Sequence, residues 1–400
     1  MSSNTAMEKV AVNIWLNMPS PHQEDLLRSI ASRKGADVQV YYSMPLSESR
    51  ASEGWSVTPR GYKYRTFLRR VDVVNVAKAM FKDRKRVQVF GGIWSTPNIA
   101  LAVTLARVLK IPYLVLSESP DHPPRPVSRL ARHRIKRHLI VAVRDAFGRC
   151  VIRGSQGILA ISRFAEIWYA NHGMDSSHIY PFGYFKTIPV RNDLDRRSSC
   201  ADLRLLYVGR KSYAKGLDLL LEALEPLWEA NDRLRLEVIG KQVDDIQPGK
   251  HGMEAKKHGR LVFKESLPFD EVEQVMRQSD VLILPSRGDG WGMVVVEALM
   301  NGLPVIVSDQ CGASDVICGG RNGFVFTSGD ISALRGAIVQ FLSRRDSHAA
   351  MRQAAWETGT KLDADSAADY FRACIEHAVD RTKPKPLAPW IADSPVHRRA

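Results

Sequence analysis

Four hundred residues that are 44% hydrophobic and 25% charged suit two globular domains of roughly 150–200 residues and exclude a disordered or collagen-like chain. A chain of this size builds its cores without disulfide staples, and its five cysteines (Cys150, Cys200, Cys311, Cys318, Cys374) are scattered, with no CxxC pair or histidine partner to hold zinc. The net charge of +14 is concentrated in the first half, where residues 60–86 carry +8 and residues 121–153 carry +7.

In chain order, both halves alternate strand and helix. The first half predicts strands at Val10–Leu16, Val38–Tyr42, Val87–Phe90, Pro112–Ser117, Gln156–Ile161 and Ile179–Pro181, with helices at Gln23–Ser32, Val71–Phe81 and Asn98–Lys110 and a long basic helix at Ser128–Cys150. The second half predicts strands at Arg204–Val208, Arg235–Ile239, Leu261–Phe263, Val281–Leu284, Pro304–Ser308 and Gly323–Phe326. Helices at Leu217–Ala230, Phe269–Ser279, Met293–Asn301 and Ile331–Arg344 lie between or after them. Continuous apolar strands such as VLILP belong to buried parallel sheets, and their alternation with helices predicts an α/β fold of two doubly wound, Rossmann-like domains facing across a cleft. The polar stretch Thr187–Ala201 separates an expected domain at 1–186 from one at 187–381, and a proline-rich tail follows at 382–400. The start of the chain has no basic flank and cleavage site, and no apolar run approaches the ~18 residues of a spanning helix. The expectation is a soluble, cytoplasmic chain.

The segment Val281–Val307 (VLILPSRGDGWGMVVVEALMNGLPVIV) carries the most chemistry. A buried strand ends at Pro285, a loop with Gly288, Gly290 and Gly292 follows, and a helix begins near Met293. Glycines let backbone approach a ligand closely, and a helix N-terminus offers open N–H groups to an anion. Asp289 precedes those donors, and Glu297 lies about one turn inside the helix, so two carboxylates flank an anion site. A second segment, Leu205–Leu220 (LLYVGRKSYAKGLDLL), ends a strand at Gly209 and brings Arg210 and Lys215 to one loop. Two cations there can neutralise a departing diphosphate without a metal ion.

The first of these segments resembles the E-x7-E element of retaining GT-B glycosyltransferases of family 4 (glycosyl transferases group 1), with Asp289 in place of the first glutamate. The second is similar to that family's G-R-x-x-x-x-K-G element. The resemblance, which covers about Gln156–Phe326, implies that Arg210 and Lys215 contact the diphosphate, Asp289 the donor sugar and Glu297 the ribose. It implies that Gly290, Trp291 and Gly292 line the sugar and phosphate through backbone N–H groups beside Met293 and Val294, and that Gly240 ends a nucleotide-binding turn. The activity so implied is metal-independent retaining transfer of a sugar from a UDP- or GDP-linked donor to a glycan or lipid-linked hydroxyl, as in lipopolysaccharide or exopolysaccharide synthesis, with no cofactor. Ser162 stands in the family's serine position.

The first half matches less well. The position after the strand beginning Ile111-Pro112, where the family often has a histidine against the donor sugar, holds Glu118, with His122 four residues on. Both are candidate site residues. The basic windows, joined to Tyr62, Tyr64 and Phe67, suit an anionic membrane surface, which makes the chain a peripheral protein at the inner face of the membrane. No helix-turn-helix, zinc-finger or RNP-type pattern supports the competing reading of the charge as a nucleic-acid site. A catalytically silent nucleotide-sugar-binding protein is a further alternative, raised by Asp289; a phosphorylase or epimerase on the same architecture has no motif to support it.

Overall fold

The computed structural model describes residues 10–48, 50, 58–93, 95–121, 146–189 and 202–391. Its residues form two units, 1–185 with 364–388 and 186–363 with 389–400. Each is built on one parallel sheet.

The first sheet contains β1 (Val10–Leu16), β2 (Ala36–Tyr42), β3 (Lys63–Thr66), β4 (Val87–Gly91), β5 (Tyr113–Glu118), β6 (Gly157–Ile161) and β7 (Ile179–Phe182), in the order β3-β2-β1-β4-β5-β6-β7. Every pair is parallel, so each connection crosses over a face of the sheet. Burial on both faces explains why Tyr113–Leu116 of β5 and all of β6 read as unbroken apolar runs. On one face, Trp15 stacks on Tyr41 with centroids 4.3 Å apart and on Phe67 at 5.9 Å, and its indole N–H donates to buried Gln88 at 2.8 Å. Strand β3 (KYRT) was not legible in the sequence: it is an edge strand, exposed at three of its four residues, and carries no apolar period.

Helix starts follow cap chemistry. Pro21–Ser32 begins two residues before the expected Gln23, because Ser20 caps it by accepting from the His22 N–H and Pro21 fits the first turn. Thr96 and Pro97 repeat the device ahead of Pro97–Val108.

The second sheet contains β8 (Leu203–Val208), β9 (Leu234–Ile239), β10 (Leu261–Lys264), β11 (Val281–Leu284), β12 (Val305–Ser308) and β13 (Gly323–Phe326), in the order β10-β9-β8-β11-β12-β13. All pairs are again parallel. Helix Leu217–Ala230 covers one face through Leu217, Leu220, Leu221 and Leu224, which pack with β8, β9 and helix Ile331–Leu342 into one core.

The expected 187–381 domain loses its last helix. Residues 364–388 belong to the first unit. Helix Ala364–Val379 buries Ala367, Phe371 and Ile375, packs on helix Pro21–Ser32, and is held there by an Arg33–Asp369 ion pair at 2.8 Å and a Ser29–Asp365 hydrogen bond. Tyr180 and His377 add a buried hydrogen bond at 2.7 Å. Chain order cannot reveal such a return. The described part of the tail, 382–391, is likewise divided between the units, and Ala388 and Trp390 are buried.

Candidate active site

Strand order in the second sheet reverses between β8 and β11, whose outgoing loops open side by side. Doubly wound sheets bind ligands beyond the carboxyl ends of the strands at such a reversal. Sequence-predicted residues from both motifs meet here.

The loop after β8 runs from Gly209 to Gly216, and the backbone of Gly240, just past β9, lies against the Gly209 carbonyl. Tyr207 donates its hydroxyl to the Arg210 carbonyl at 2.7 Å, and burial pushes that phenol far above its usual range, so it remains a donor. The Arg210 guanidinium is exposed and makes no hydrogen bond or ion pair among the described residues. The Lys215 N–H donates to the Ser212 carbonyl at 3.1 Å and hydroxyl at 3.4 Å, closing a single tight turn. Gly216 follows with φ +72, and a Cβ there would run into the Pro285 carbonyl oxygen at the end of β11. Only glycine allows the two loops to touch at that point.

The loop after β11 is stapled to the first by Arg287. Its guanidinium forks onto both Asp218 oxygens at 2.8 and 2.6 Å, and its N–H donates to Ala214 O at 3.0 Å. The Asp218 hydrogen bonds raise the Arg287 pKa further above its ordinary value. Sequence reasoning missed this pair; the signal was an arginine inside the glycine-rich loop and an acid in the first turn of the other helix.

Asp289 is fixed by its backbone, donating to Gln310 O at 2.9 Å and accepting from Gly312 N–H at 3.0 Å. Its carboxylate sits 2.5 Å from Lys215 Nζ, with the two side chains 17% and 21% exposed. Gly290 and Trp291 are buried, and the Trp291 indole N–H has no partner among the described residues. The Trp291 carbonyl accepts from Ala313 N–H at 2.6 Å and from Cys311 Sγ at 3.0 Å. Burial, reinforced by Asp289, raises the Cys311 pKa well above the thiol range, so it stays a protonated donor. Gly292, with φ +89, packs its α-carbon toward Cys311, where a Cβ would strike the sulfur.

Two helices start at this crevice, Leu217–Ala230 behind Gly216 and Met293–Met300 behind Gly292, and neither has a side-chain N-cap. Their first N–H groups therefore have no capping side chain to accept them, and their positive dipole ends favour an anion. Six of the eight residues in Met293–Met300 are buried. The remaining two, Val294 and Glu297, lie three apart on one partly exposed face. Asn301 ends this helix, its side chain donating to Glu297 O at 2.9 Å.

Glu118 belongs to the first unit, where it closes β5 half-buried and accepts from the Tyr184 hydroxyl at 2.8 Å. His122 lies outside the described residues. Ser162, which follows β6, adopts φ +72 and ψ 161, a region almost reserved for glycine, and its buried hydroxyl has no partner among the described residues. Ser162→Gly is expected to stabilise the chain by about 1 kcal/mol in urea unfolding, the relieved strain outweighing the added freedom of the unfolded chain. No gain in midpoint would mean that the backbone is unstrained there.

Residues 197–358 match the model of the family described as glycosyl transferases group 1. Sulfoquinovosyl transferase SQD2 of Arabidopsis thaliana is 27% identical over 291 residues, 72% of this chain and 54% of that protein. Phosphatidyl-myo-inositol mannosyltransferase of Mycobacterium leprae is 31% identical over 199 residues, 46% of this chain and 50% of that protein. The chain thus spans about half the length of the curated relatives it matches. Among solved structures, Anabaena Alr3699/HepE in complex with UDP superposes with a TM-score of 0.66 at 16% identity, covering 92% of this chain and 100% of that one. The fold is GT-B, and the stretch that builds the β8–β11 crevice is the part of the chain that matches the glycosyl transferases of group 1.

Proposed function

We propose that the chain is a retaining glycosyltransferase that moves a hexose from a UDP- or GDP-linked donor to a hydroxyl of a glycan or lipid-linked acceptor. The observation that carries this is Lys215, paired with Asp289, between two helix N-termini without side-chain caps, with Arg210 in the same loop as Lys215. That much positive potential suits a diphosphate and supplies charge stabilisation without calling on a metal ion. HepE, with the same fold, has been solved with UDP and with UDP-glucose, and the named relatives act as sugar transferases.

In this reading the diphosphate lies against Arg210, Lys215 and the Gly292–Met293 turn, with the ribose hydroxyls on Glu297 and the sugar beside Asp289. The bond from the anomeric carbon to the diphosphate oxygen breaks as the acceptor hydroxyl attacks from the same face. The proton of that hydroxyl passes to the departing phosphate oxygen, so no separate base is required. Glu118, whose carboxylate accepts from the Tyr184 hydroxyl, stands at the position where the family often has a histidine against the donor sugar.

Glu297→Ala is expected to weaken UDP binding about 10–100-fold, the worth of a hydrogen bond to a charged group. Titration calorimetry with free UDP and GDP checks this on the full chain. Equal affinity of wild type and variant for both nucleotides removes Glu297 from the site, and binding of neither nucleotide by wild type overturns the donor assignment.

The reading also makes the chain peripheral at the inner face of the membrane. Within residues 60–86, Leu68, Val71, Val73, Val74 and Phe81 are exposed among basic side chains. Two of the aromatics expected in this role are not available for it. Phe67 is buried in the Trp15 stack, and the Tyr62 hydroxyl is bound to Glu24 at 2.6 Å. Most of the second basic window, residues 122–145, lies outside the described residues. No described helix is long and apolar enough to cross a membrane.

A further inference from the structure

The first unit holds a cavity of about 360 Å³ that no motif pointed to. It lies beyond the ends of β2 and β3, beside the start of helix Pro97–Val108. Phe67, Leu68, Arg69, Arg70, Ser95 and Thr96 are among its lining residues. Its wall is pre-set by Asn98, a fully buried residue of that helix. The Asn98 side-chain amide donates to the Arg69 carbonyl at 3.1 Å, and its oxygen accepts the Asp72 N–H at 2.8 Å. The turn between β3 and the next helix is thereby pinned from inside, leaving the side chains of Leu68, Arg69 and Arg70 exposed.

The charges at this wall are compensated only at a distance, by the Asp72 carboxylate that Arg69 helps to hold ionised. Neither the Arg69 nor the Arg70 guanidinium makes a hydrogen bond or ion pair among the described residues. The acid nearest in sequence, Asp72, spends its carboxylate on the Asn75 N–H at 3.3 Å and the Asn75 side-chain amide at 2.9 and 3.1 Å. Ser43 and Thr96 pair their hydroxyls with each other at 2.6 Å, whereas Ser95 lines the cavity together with the two arginines. Next to this cationic, hydroxyl-bearing end, Leu68 is 86% exposed, and Val71, Val73 and Val74 continue the apolar surface.

We infer that this cavity is a subsite for the phosphate of an amphiphilic acceptor, with Arg69 and Arg70 forking onto the phosphate oxygens and Leu68 lying against the apolar chain beside them. A guanidinium fork matches phosphate geometry, and an exposed leucine next to it has no use in holding a freely soluble sugar phosphate. The inference rests on the transferase reading and narrows it: the acceptor is a phosphate-bearing lipid or lipid-like molecule.

The test uses the full chain and three probes in titration calorimetry: dihexanoyl phosphatidate below its micelle concentration, dihexanoylglycerol, and inorganic phosphate. Phosphatidate is expected to bind at least tenfold more tightly than either of the others. The double variant Arg69→Ala/Arg70→Ala should lose at least tenfold in phosphatidate affinity, and Leu68→Ser should weaken phosphatidate while leaving inorganic phosphate unchanged. All three side chains are exposed, so these variants keep the fold, which the melting midpoint verifies. UDP affinity, measured on the same samples, should not move. Phosphatidate affinity equal in wild type and the double variant overturns the subsite, and inorganic phosphate binding as tightly as phosphatidate overturns the amphiphile. Loss of UDP binding by wild type, with phosphatidate binding intact, strikes the transferase reading and leaves the subsite standing.

Discussion

Lys215→Ala is expected to lower turnover about 10²-fold at saturating donor, the usual loss when one donor facing developing negative charge is removed. The ammonium is already partly buried and held, since its turn is closed by Ser212 and its Nζ rests 2.5 Å from Asp289. The Asp289 carboxylate holds the cation in place, and on the proposed reading a bound diphosphate competes for the same charge. On the proposed reading Asp289 would do two things in sequence, positioning Lys215 before binding and meeting the sugar afterwards. Removing the lysine leaves the helix N-termini and Arg210, so residual activity should remain and nucleotide affinity should fall less than turnover does. Single-turnover kinetics at saturating donor separate these quantities. Near-wild-type turnover would take Lys215 out of the chemistry.

Gly216→Ala is expected to destabilise the 186–363 unit by ~2–4 kcal/mol, combining a left-handed backbone forced on an L-residue with a steric clash in a packed loop. The added methyl group would meet the Pro285 carbonyl, which is backbone and cannot swing aside. For a unit of this size that corresponds to a fall in melting midpoint of roughly 4–16 °C. The Arg287–Asp218 fork crosses the same junction, so donor affinity should decline along with stability. Scanning calorimetry checks the first effect, and an unchanged midpoint would mean that the loops relax around the methyl group without cost.

The legible parts of the molecule were those where one physical requirement dominates the residue choice. Strands buried on both faces must be apolar throughout, so Val281–Leu284 and Val305–Ser308 stood out. The loops that approach an anion must be glycine-rich, so Gly209, Gly216, Gly290 and Gly292 did as well. Edge strand β3 faces water and satisfies no such requirement, and helix Arg163–Asn171, with Ile167 exposed and Trp168 and Tyr169 buried, has an apolar stripe too short to distinguish from a loop. The Lys215–Asp289 contact was beyond reach for another reason. The two residues are 74 positions apart, and only the parallel register of β8 with β11 makes their loops neighbours. Sequence reasoning placed each charge in its own loop, and pairing them takes the fold.

The return of helix Ala364–Val379 to the first unit means that this unit cannot be completed during synthesis until all strands of the second have been made. Domains of a growing chain ordinarily finish from the N-terminus onward. Here every strand of the first sheet has been synthesised once residue 182 is made, yet the partners of Ser29, Arg33 and Tyr180 are residues 365, 369 and 377, almost two hundred positions later. The 186–363 unit, whose six strands and intervening helices are continuous in sequence, has all its main parts first. The first unit waits, partly open along the flank of helix Pro21–Ser32, until the ribosome has passed the second, so nascent chains halted between residues 185 and 363 are the ones that most need a chaperone.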